Sequence, residues 1–155
     1  MWVFHRIKNF LTNMPKRIKF FYQRGKRGYS DQDVWSMDWW FFSVVIPMLK
    51  QLRDTKQGYP TKFKTPEEWD RELDTMIHYF IEATEEGCSE KNEYEEQYNK
   101  RWWDSFDKKG MAYVIDDSEL RDKYLQRSYE IDEYREDMKN KGFEMFSKYF
   151  WNLWD

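Results

Sequence analysis

The sequence predicts an all-α protein: a compact bundle of about four to five helices with an aromatic-rich core and a basic N-terminal arm. Apolar residues recur at helical spacing in most segments, and two segments open with sequences that cap helices. Only "MAYVIDD" at 111–117 is typical of an extended connector or a short strand. At 155 residues the chain fits one domain. We assign 1–28 to the arm and 29–155 to a single helical domain.

The core is expected to be built from rings. Leu, Ile, Val and Phe together make up 31 of the 155 residues, a fraction close to that of disordered chains. Nine Trp and eleven Tyr supply the missing apolar surface, since each such side chain buries about 150–250 Å². Rings at this density also form interfaces and base-stacking pockets.

The arm differs from the rest of the chain in charge. Residues 1–28 contain eight basic residues and no acidic one, whereas the remainder carries 18 basic and 29 acidic residues. Apolar positions from Trp2 to Tyr22 predict two amphipathic helical pieces separated by Pro15, followed by a flexible hinge, "RGKRG", at 24–28. The arm could pack on the acidic body, on a second copy, or on a nucleic acid or membrane surface.

The first helix of the body is predicted to run from Ser30 to about Lys56. Ser30 is the cap and Asp33 completes a capping box, while Pro47 is expected to kink the axis. The four rings at 39–42 follow one another directly. Because a helix turns about 100° per residue, these rings cannot share one buried face.

The next helix has the clearest start signal in the chain, "TPEEWD". Thr65 caps it, Pro66 is its first residue and Glu68 closes a capping box. An apolar stripe then predicts a helix to about Glu85. The stripe consists of Trp69, Leu73, Met76, Ile77, Phe80 and Ile81.

Two further helices are predicted towards the C-terminus. Aromatic residues recur every four positions from Tyr94 to Phe106, which predicts one helix. A second helix is expected from about Ser118 to the end of the chain, with "NKG" at 140–142 as a point where it could bend or break.

The sequence shows no enzyme signature and implies no cofactor. It contains no G-x-S-x-G, no P-loop and no glycine-rich dinucleotide turn. Cys88 is the single cysteine, so neither an internal disulfide nor a thiolate metal cluster is expected. The apolar run Trp39–Leu49 is about half as long as a transmembrane segment. Without a secretory signal, the expected location is a reducing cytoplasm.

A metal-dependent enzyme with a cation site is the alternative to a non-catalytic protein. Asp70, Asp74, His78 and Glu82 follow one another at four-residue intervals on one helix edge. Together with Asp38 they could hold a hard divalent cation in a metal-dependent helical nucleotide hydrolase. The E-x-x-H pair that carboxylate sites in helical bundles use is missing. A solvated helix face explains the same spacing.

Asp38 is expected to face inward. On one uninterrupted helix it shares a stripe with Val34, Phe41 and Val45. A buried carboxylate must be hydrogen-bonded or paired, so Asp38 is either a structural partner of another side chain or a ligand of the site above.

Paired tryptophans are the strongest candidates for binding. One pair lies in "DWW" and the other in "KRWWD", beside an arginine. Rings next to a guanidinium can stack on a nucleobase and bind its phosphate. Equally, one ring of each pair could belong to the core and the other to a contact with a second subunit. The candidate binding residues are Trp39, Trp40, Tyr98, Arg101, Trp102 and Trp103.

Four blocks of the chain resemble a family of small uncharacterised proteins encoded by bacteriophages and prophages. They are "GYSDQDVW" at Gly28–Trp35, the aspartate followed by rings at Asp38–Trp40, "TPEEWD" at Thr65–Asp70, and the ending "MFSKYFWNLWD" at Met145–Asp155. Together with the residues around these blocks, the resemblance extends over about half of the chain. The basic N-terminus and residues 86–117 lie outside the resemblance.

The resemblance implies a phage protein in the cytoplasm of a bacterial host, and it supplies no catalytic residue. Small accessory phage proteins commonly block host defence, which is an argument from gene context alone. We therefore expect a homo-oligomeric binding protein that sequesters a nucleotide-type immune signal. A direct inhibitor of a host defence protein is the alternative within the same class.

Overall fold

The computed structural model describes the backbone of residues 2–109 and 119–154 and the side chains of residues 15–104 and 119–154. These residues are all-α, as predicted: they form six α-helices and one 3₁₀ helix, and no strand occurs among them. The extended segment predicted at 111–117 lies outside the described residues. The helices are α1 (Trp2–Arg27), α2 (Asp31–Trp35), α3 (Met37–Thr55), α4 (Pro66–Ala83), α5 (Glu95–Lys109) and α6 (Glu119–Tyr149), followed by the 3₁₀ helix Phe150–Asn152.

The chain divides into two compact units. Unit 1 is Met1–Val45 and unit 2 is Ile46–Asp155, so the boundary falls within α3. Unit 1 contains α1, α2 and the first part of α3, while unit 2 contains the rest. Charge also separates at this boundary. Unit 1 carries eight basic and three acidic residues, whereas unit 2 carries 18 basic and 26 acidic residues.

The arm is one helix, so the predicted interruption at Pro15 is wrong. Helix α1 continues through Pro15, since an interior proline removes one backbone hydrogen bond and can kink a helix without ending it. The predicted hinge at 24–28 is also wrong for its first four residues, which belong to α1. Gly28 ends the helix with φ of 82°, and its N–H donates to the Arg24 carbonyl at 2.8 Å. Glycine suits this left-handed position because it has no Cβ.

Helix α1 is fastened to the start of α2 by a buried carboxylate. Arg24 donates to Asp33 through Nε at 2.9 Å and Nη2 at 2.5 Å, and the Ser30 N–H donates to the same carboxylate at 2.7 Å. The last bond is the returning half of the predicted capping box. The Arg24 guanidinium holds the pKa of Asp33 well below its ordinary range, so this charged pair persists across the usual pH range.

The helix predicted from Ser30 to Lys56 is divided in two at Ser36. The backbone leaves helical geometry there, with φ of −136° and ψ of 67°, before α3 begins. The break changes the phase of the helix, so the stripe that joined Val34 to Asp38 does not exist. Both side chains are exposed, and the expectation that Asp38 faces inward is wrong.

Helix α4 begins as its sequence predicts. Thr65 Oγ1 accepts from the Glu68 N–H at 3.3 Å and Pro66 is the first helical residue. The Glu68 carboxylate reaches one residue further back than in a standard capping box and accepts from the Lys64 N–H at 2.8 Å. The Thr65 hydroxyl thereby satisfies an N–H group that the first turn of a helix leaves unpaired.

The core of unit 2 forms where α4 packs against α6. Five of the six residues of the predicted α4 stripe are buried, and from α6 Met138, Gly142 and Tyr149 join them. Trp69 lies at one end, with its ring centroid 5.2 Å from Phe63 and 5.3 Å from Tyr149. The Tyr149 hydroxyl donates to Glu72 of α4 at 2.7 Å. The aromatic core predicted from composition is therefore present in this unit.

Gly142 allows the closest approach between α4 and α6. A Cβ at this position would lie 2.6 Å from both Cδ1 and Cε1 of Phe80, whose side chain is fully buried. The ring of Phe80 also contacts two rings of α6. Its centroid lies 5.3 Å from that of Phe143 and 6.0 Å from that of Phe146. Helix α6 is not broken at 140–142, because this glycine makes room for a ring rather than ending the helix.

In the part of the chain that the structure describes, none of the helices combines the length and the apolar character needed to cross a bilayer.

Candidate functional site

Helix α5 carries four of the six candidate binding residues. One of them, Tyr98, stacks on Tyr124 of α6, with ring centroids 4.3 Å apart and planes 7° from parallel. This stacked pair anchors α5 to α6 in unit 2. Tyr98 therefore has a structural contact on one face of its ring.

The other three residues follow Tyr98 by one turn, and we call them the ring face of α5, although three consecutive positions spread over about 200° of the helix circumference: Arg101, Trp102 and Trp103. The two indoles meet edge to face, with centroids 4.7 Å apart and planes at 83°. Trp102 is 42% exposed and Trp103 is 61% exposed, and Arg101 is exposed beside them. Two indole surfaces and a guanidinium are thus presented together on one short stretch of helix.

The remaining candidates, Trp39 and Trp40, belong to unit 1. They lie in the first turn of α3, where Trp39 is exposed and Trp40 is half-buried. The next two rings, Phe41 and Phe42, contact each other edge to face at 5.5 Å. Four consecutive rings therefore do divide between packed and exposed positions, as the helical turn angle requires.

Most tryptophans with described side chains are exposed. Trp69 is buried and Trp40 is half-buried. Most of the indoles that the structure describes therefore lie on the surface of a single copy of the chain. The exposed tryptophans are Trp35, Trp39, Trp102, Trp103, Trp151 and Trp154.

The acidic edge of α4 is occupied by ion pairs. Asp70 accepts from Lys56, and Asp74 accepts from Arg53. Both cations lie at the C-terminal end of α3, so these contacts fasten α3 to α4 within unit 2. His78 is exposed, and its ring contacts Tyr79 at 5.9 Å. Among the described residues, no group of three or more His, Cys, Asp or Glu side chains is arranged to hold a metal ion.

Glu82, the last residue of that edge, is buried and organises the segment after α4. Its carboxylate accepts from the N–H and the hydroxyl of Ser89, each at 2.8 Å, and from the Tyr134 hydroxyl at 3.2 Å. The backbone N–H of Ser89 is the main cause of the lowered pKa of Glu82. Burial raises the pKa of the Tyr134 hydroxyl. This carboxylate therefore stays charged and fixes the connection to α6.

A second set of polar contacts fastens the same connection to α6. Asn92 donates from Nδ2 to the Tyr124 carbonyl at 2.8 Å and to Ser128 Oγ at 2.9 Å. Arg127 donates to Glu90 at 2.5 Å and to Glu93 at 3.2 Å. The segment between α4 and α5 is thus held in place by side-chain contacts.

A cavity of about 280 Å³ lies between this segment and α6. Arg135 lines it while its Nε donates to the Ala83 carbonyl at 3.2 Å. Carboxylates outnumber cations in the lining, which disfavours a phosphate group there. The sequence signals this cavity only through the acidic composition of "SEKNEYEEQYNK". Its charged lining residues are Glu85, Glu90, Glu95, Asp132, Lys91 and Arg135.

No family model, no curated protein and no solved structure matches this chain.

Proposed function

We propose that this protein is a non-catalytic binding protein that counters host antiviral defence, and that it sequesters a nucleotide-type immune signal at the ring face of α5. The observation that carries the proposal is the joint exposure of Trp102 and Trp103 beside Arg101. The resemblance to phage proteins supports the setting, a bacterial host cytoplasm.

Stacking and charge account for the choice of ligand. A nucleobase presents a flat face to an indole, and each stacked base contributes about 1–3 kcal/mol. A guanidinium one residue away can form charge-assisted hydrogen bonds with a phosphate. The net acidic cavity beside α6 offers no comparable site for an anion.

Enclosure of the signal is proposed to require a second copy of the chain. A single helix contacts a base from one side, whereas sequestration needs the ligand to be covered on both sides. A symmetric dimer places the same side chains opposite each other, so two ring faces would form both walls of one pocket. Arg101 of each copy would then meet the phosphates.

The first test is a fluorescence titration and thermal-shift measurement with cyclic oligonucleotides and ADP-ribose. Wild-type protein is expected to bind at least one of these nucleotides, and the nucleotide recovered from the complex should be chemically unchanged. Trp103→Ala is expected to raise the dissociation constant by about 5- to 150-fold, because one stacking contact is lost. Arg101→Gln is expected to weaken the binding of each ligand, and the loss of affinity should be larger for ligands that carry more phosphate groups.

Trp151→Ala is the matched control, because this indole is 84% exposed but lies beyond α6. Its affinity for the ligand should equal that of the wild type. If none of these nucleotides binds, or if Trp103→Ala and Trp151→Ala weaken binding equally, the ring face is not a nucleotide site.

The second candidate function is direct inhibition of a host defence protein. It is favoured by strongly exposed indoles outside α5, namely Trp35, Trp151 and Trp154. Trp is enriched among residues that dominate protein–protein binding energy. A surface of this kind needs no pocket.

A pull-down from bacterial lysate separates the two candidates. For an inhibitor, we expect a stoichiometric host protein that is lost from Trp151→Ala or Trp35→Ala and kept by Trp103→Ala. If the wild type retains no host protein, this candidate is wrong. Loss of the captured protein from Trp103→Ala alone would instead assign protein binding to the ring face.

A further inference from the structure

Helix α1 presents an apolar stripe on its exterior. Ile18 is 61% exposed, Phe21 is 80% exposed and Tyr22 is 65% exposed. These residues are three and four positions apart on a continuous helix, so they share one face. Exposing apolar side chains of this size to water is unfavourable, since it raises the free energy of the protein.

The sequence continues the same spacing towards the N-terminus of α1. Phe4, Ile7, Leu11 and Met14 stand at intervals of three and four residues and lead directly to Ile18. The backbone is helical throughout this range, so these positions fall on one side of the helix. A stripe of such length on a single helix needs an extended apolar partner.

The other positions of α1 are strongly basic. The helix contains eight Lys and Arg residues and no acidic residue. Within the part of α1 whose side chains the structure describes, Lys19 and Arg27 contact Asp31 of α2, and Arg24 contacts Asp33. Unit 1 as a whole contains eight basic residues and three acidic residues, which are Asp31, Asp33 and Asp38, so its net charge is +5.

We propose that α1 binds in the interface of an anionic phospholipid membrane, with its apolar stripe among the acyl chains and its cations at the headgroups. A basic helix with an aromatic and aliphatic face has the composition of interfacial helices, and lysine and arginine stems extend their charges to the headgroup level. Eight cations within 26 residues are incompatible with a helix that crosses the hydrocarbon core.

Charge and apolarity together favour a lipid surface over other occupants. A nucleic acid neutralises cations but leaves the apolar stripe in water. A second copy of α1 covers the stripe but brings two sets of like charges together. An anionic membrane satisfies both features at once, since each basic residue near its surface is attracted independently.

The test is co-sedimentation of the full chain with phosphatidylcholine vesicles, with and without about one third phosphatidylglycerol. Binding is expected only to the anionic vesicles and should weaken as salt is raised. The double variant Ile18→Ser, Phe21→Ser should lower the partition coefficient at least about tenfold. The pair Lys16→Gln, Lys26→Gln should lower it by about fivefold per lysine.

Trp151→Ser is the matched control, an exposed ring of unit 2 that should bind vesicles like the wild type. Circular dichroism should show equal helix content in all variants, and Trp103→Ala should leave vesicle binding unchanged.

Three results would overturn the proposal. The first is that the double variant Ile18→Ser, Phe21→Ser binds vesicles as well as the wild type does. The second is that the protein binds DNA or RNA instead of vesicles. The third is that the wild type forms a dimer without lipid and the double variant does not.

Discussion

Replacing Trp69 with alanine is expected to lower the free energy of unfolding of unit 2 by about 3–5 kcal/mol. The indole is buried and contacts the rings of Phe63 and Tyr149, so its removal leaves a cavity between α4 and α6. Losses of this size are a large part of the roughly 5–15 kcal/mol that stabilises a typical domain. Guanidinium unfolding followed by far-UV circular dichroism measures the change.

Trp151→Ala is the control for this substitution, because it removes the same ring from an exposed position. Its unfolding free energy should stay within about 0.5 kcal/mol of the wild type. If Trp69→Ala does not fold, Trp69→Phe retains part of the packing and is expected to show a smaller, measurable loss. Equal stability of the two alanine variants would contradict the described core.

Gly142→Val is expected to destabilise unit 2 by about 3 kcal/mol, at the upper end for overpacked cores. Its Cβ alone would lie 2.6 Å from two atoms of the buried Phe80 ring, and two methyl groups follow it. Valine has a higher helix propensity than glycine, so on an exposed surface the same substitution would be favourable. At position 142 the steric clash outweighs this gain. Thermal and guanidinium unfolding both report it.

Gly25→Val provides the matched comparison, because this helical glycine has no other heavy atom within 4 Å of the added Cβ. Its stability should differ from the wild type by no more than about 0.5 kcal/mol. The cost of Gly142→Val should also fall by at least about half in a Phe80→Leu background, since the two sites are coupled. A neutral Gly142→Val would mean that α4 and α6 are not in this close contact.

Helix starts and buried stripes could be predicted from the sequence where the signal is local. Thr65 and Pro66 mark the beginning of α4, and the spacing from Trp69 to Phe80 correctly identifies its buried face. Both depend on residues within a few positions of one another, which is the range over which capping and helical periodicity act.

Features that depend on distant residues could not be predicted in this way. Gly142 indicates a helix break until its contact with Phe80 of α4 is known. The backbone change at Ser36 shifts the phase of the helix and exposes Asp38, although no proline or glycine marks the position.

The candidate site was predictable in part. The sequence "KRWWD" made Arg101, Trp102 and Trp103 candidates, and the structure shows that all three are exposed on α5. Spacing alone could not show that Tyr98 stacks on Tyr124, or that Asp70 and Asp74 pair with Lys56 and Arg53. Both are tertiary contacts.

A native mass spectrum tests the proposed binding function most directly. The chain has a mass of 19.6 kDa, and the protein should be purified from bacterial cells and incubated with cyclic oligonucleotides or ADP-ribose before the measurement. The proposal predicts a dimer that carries a nucleotide and loses it when Trp103 is replaced with alanine. A bare monomer under all these conditions would contradict it.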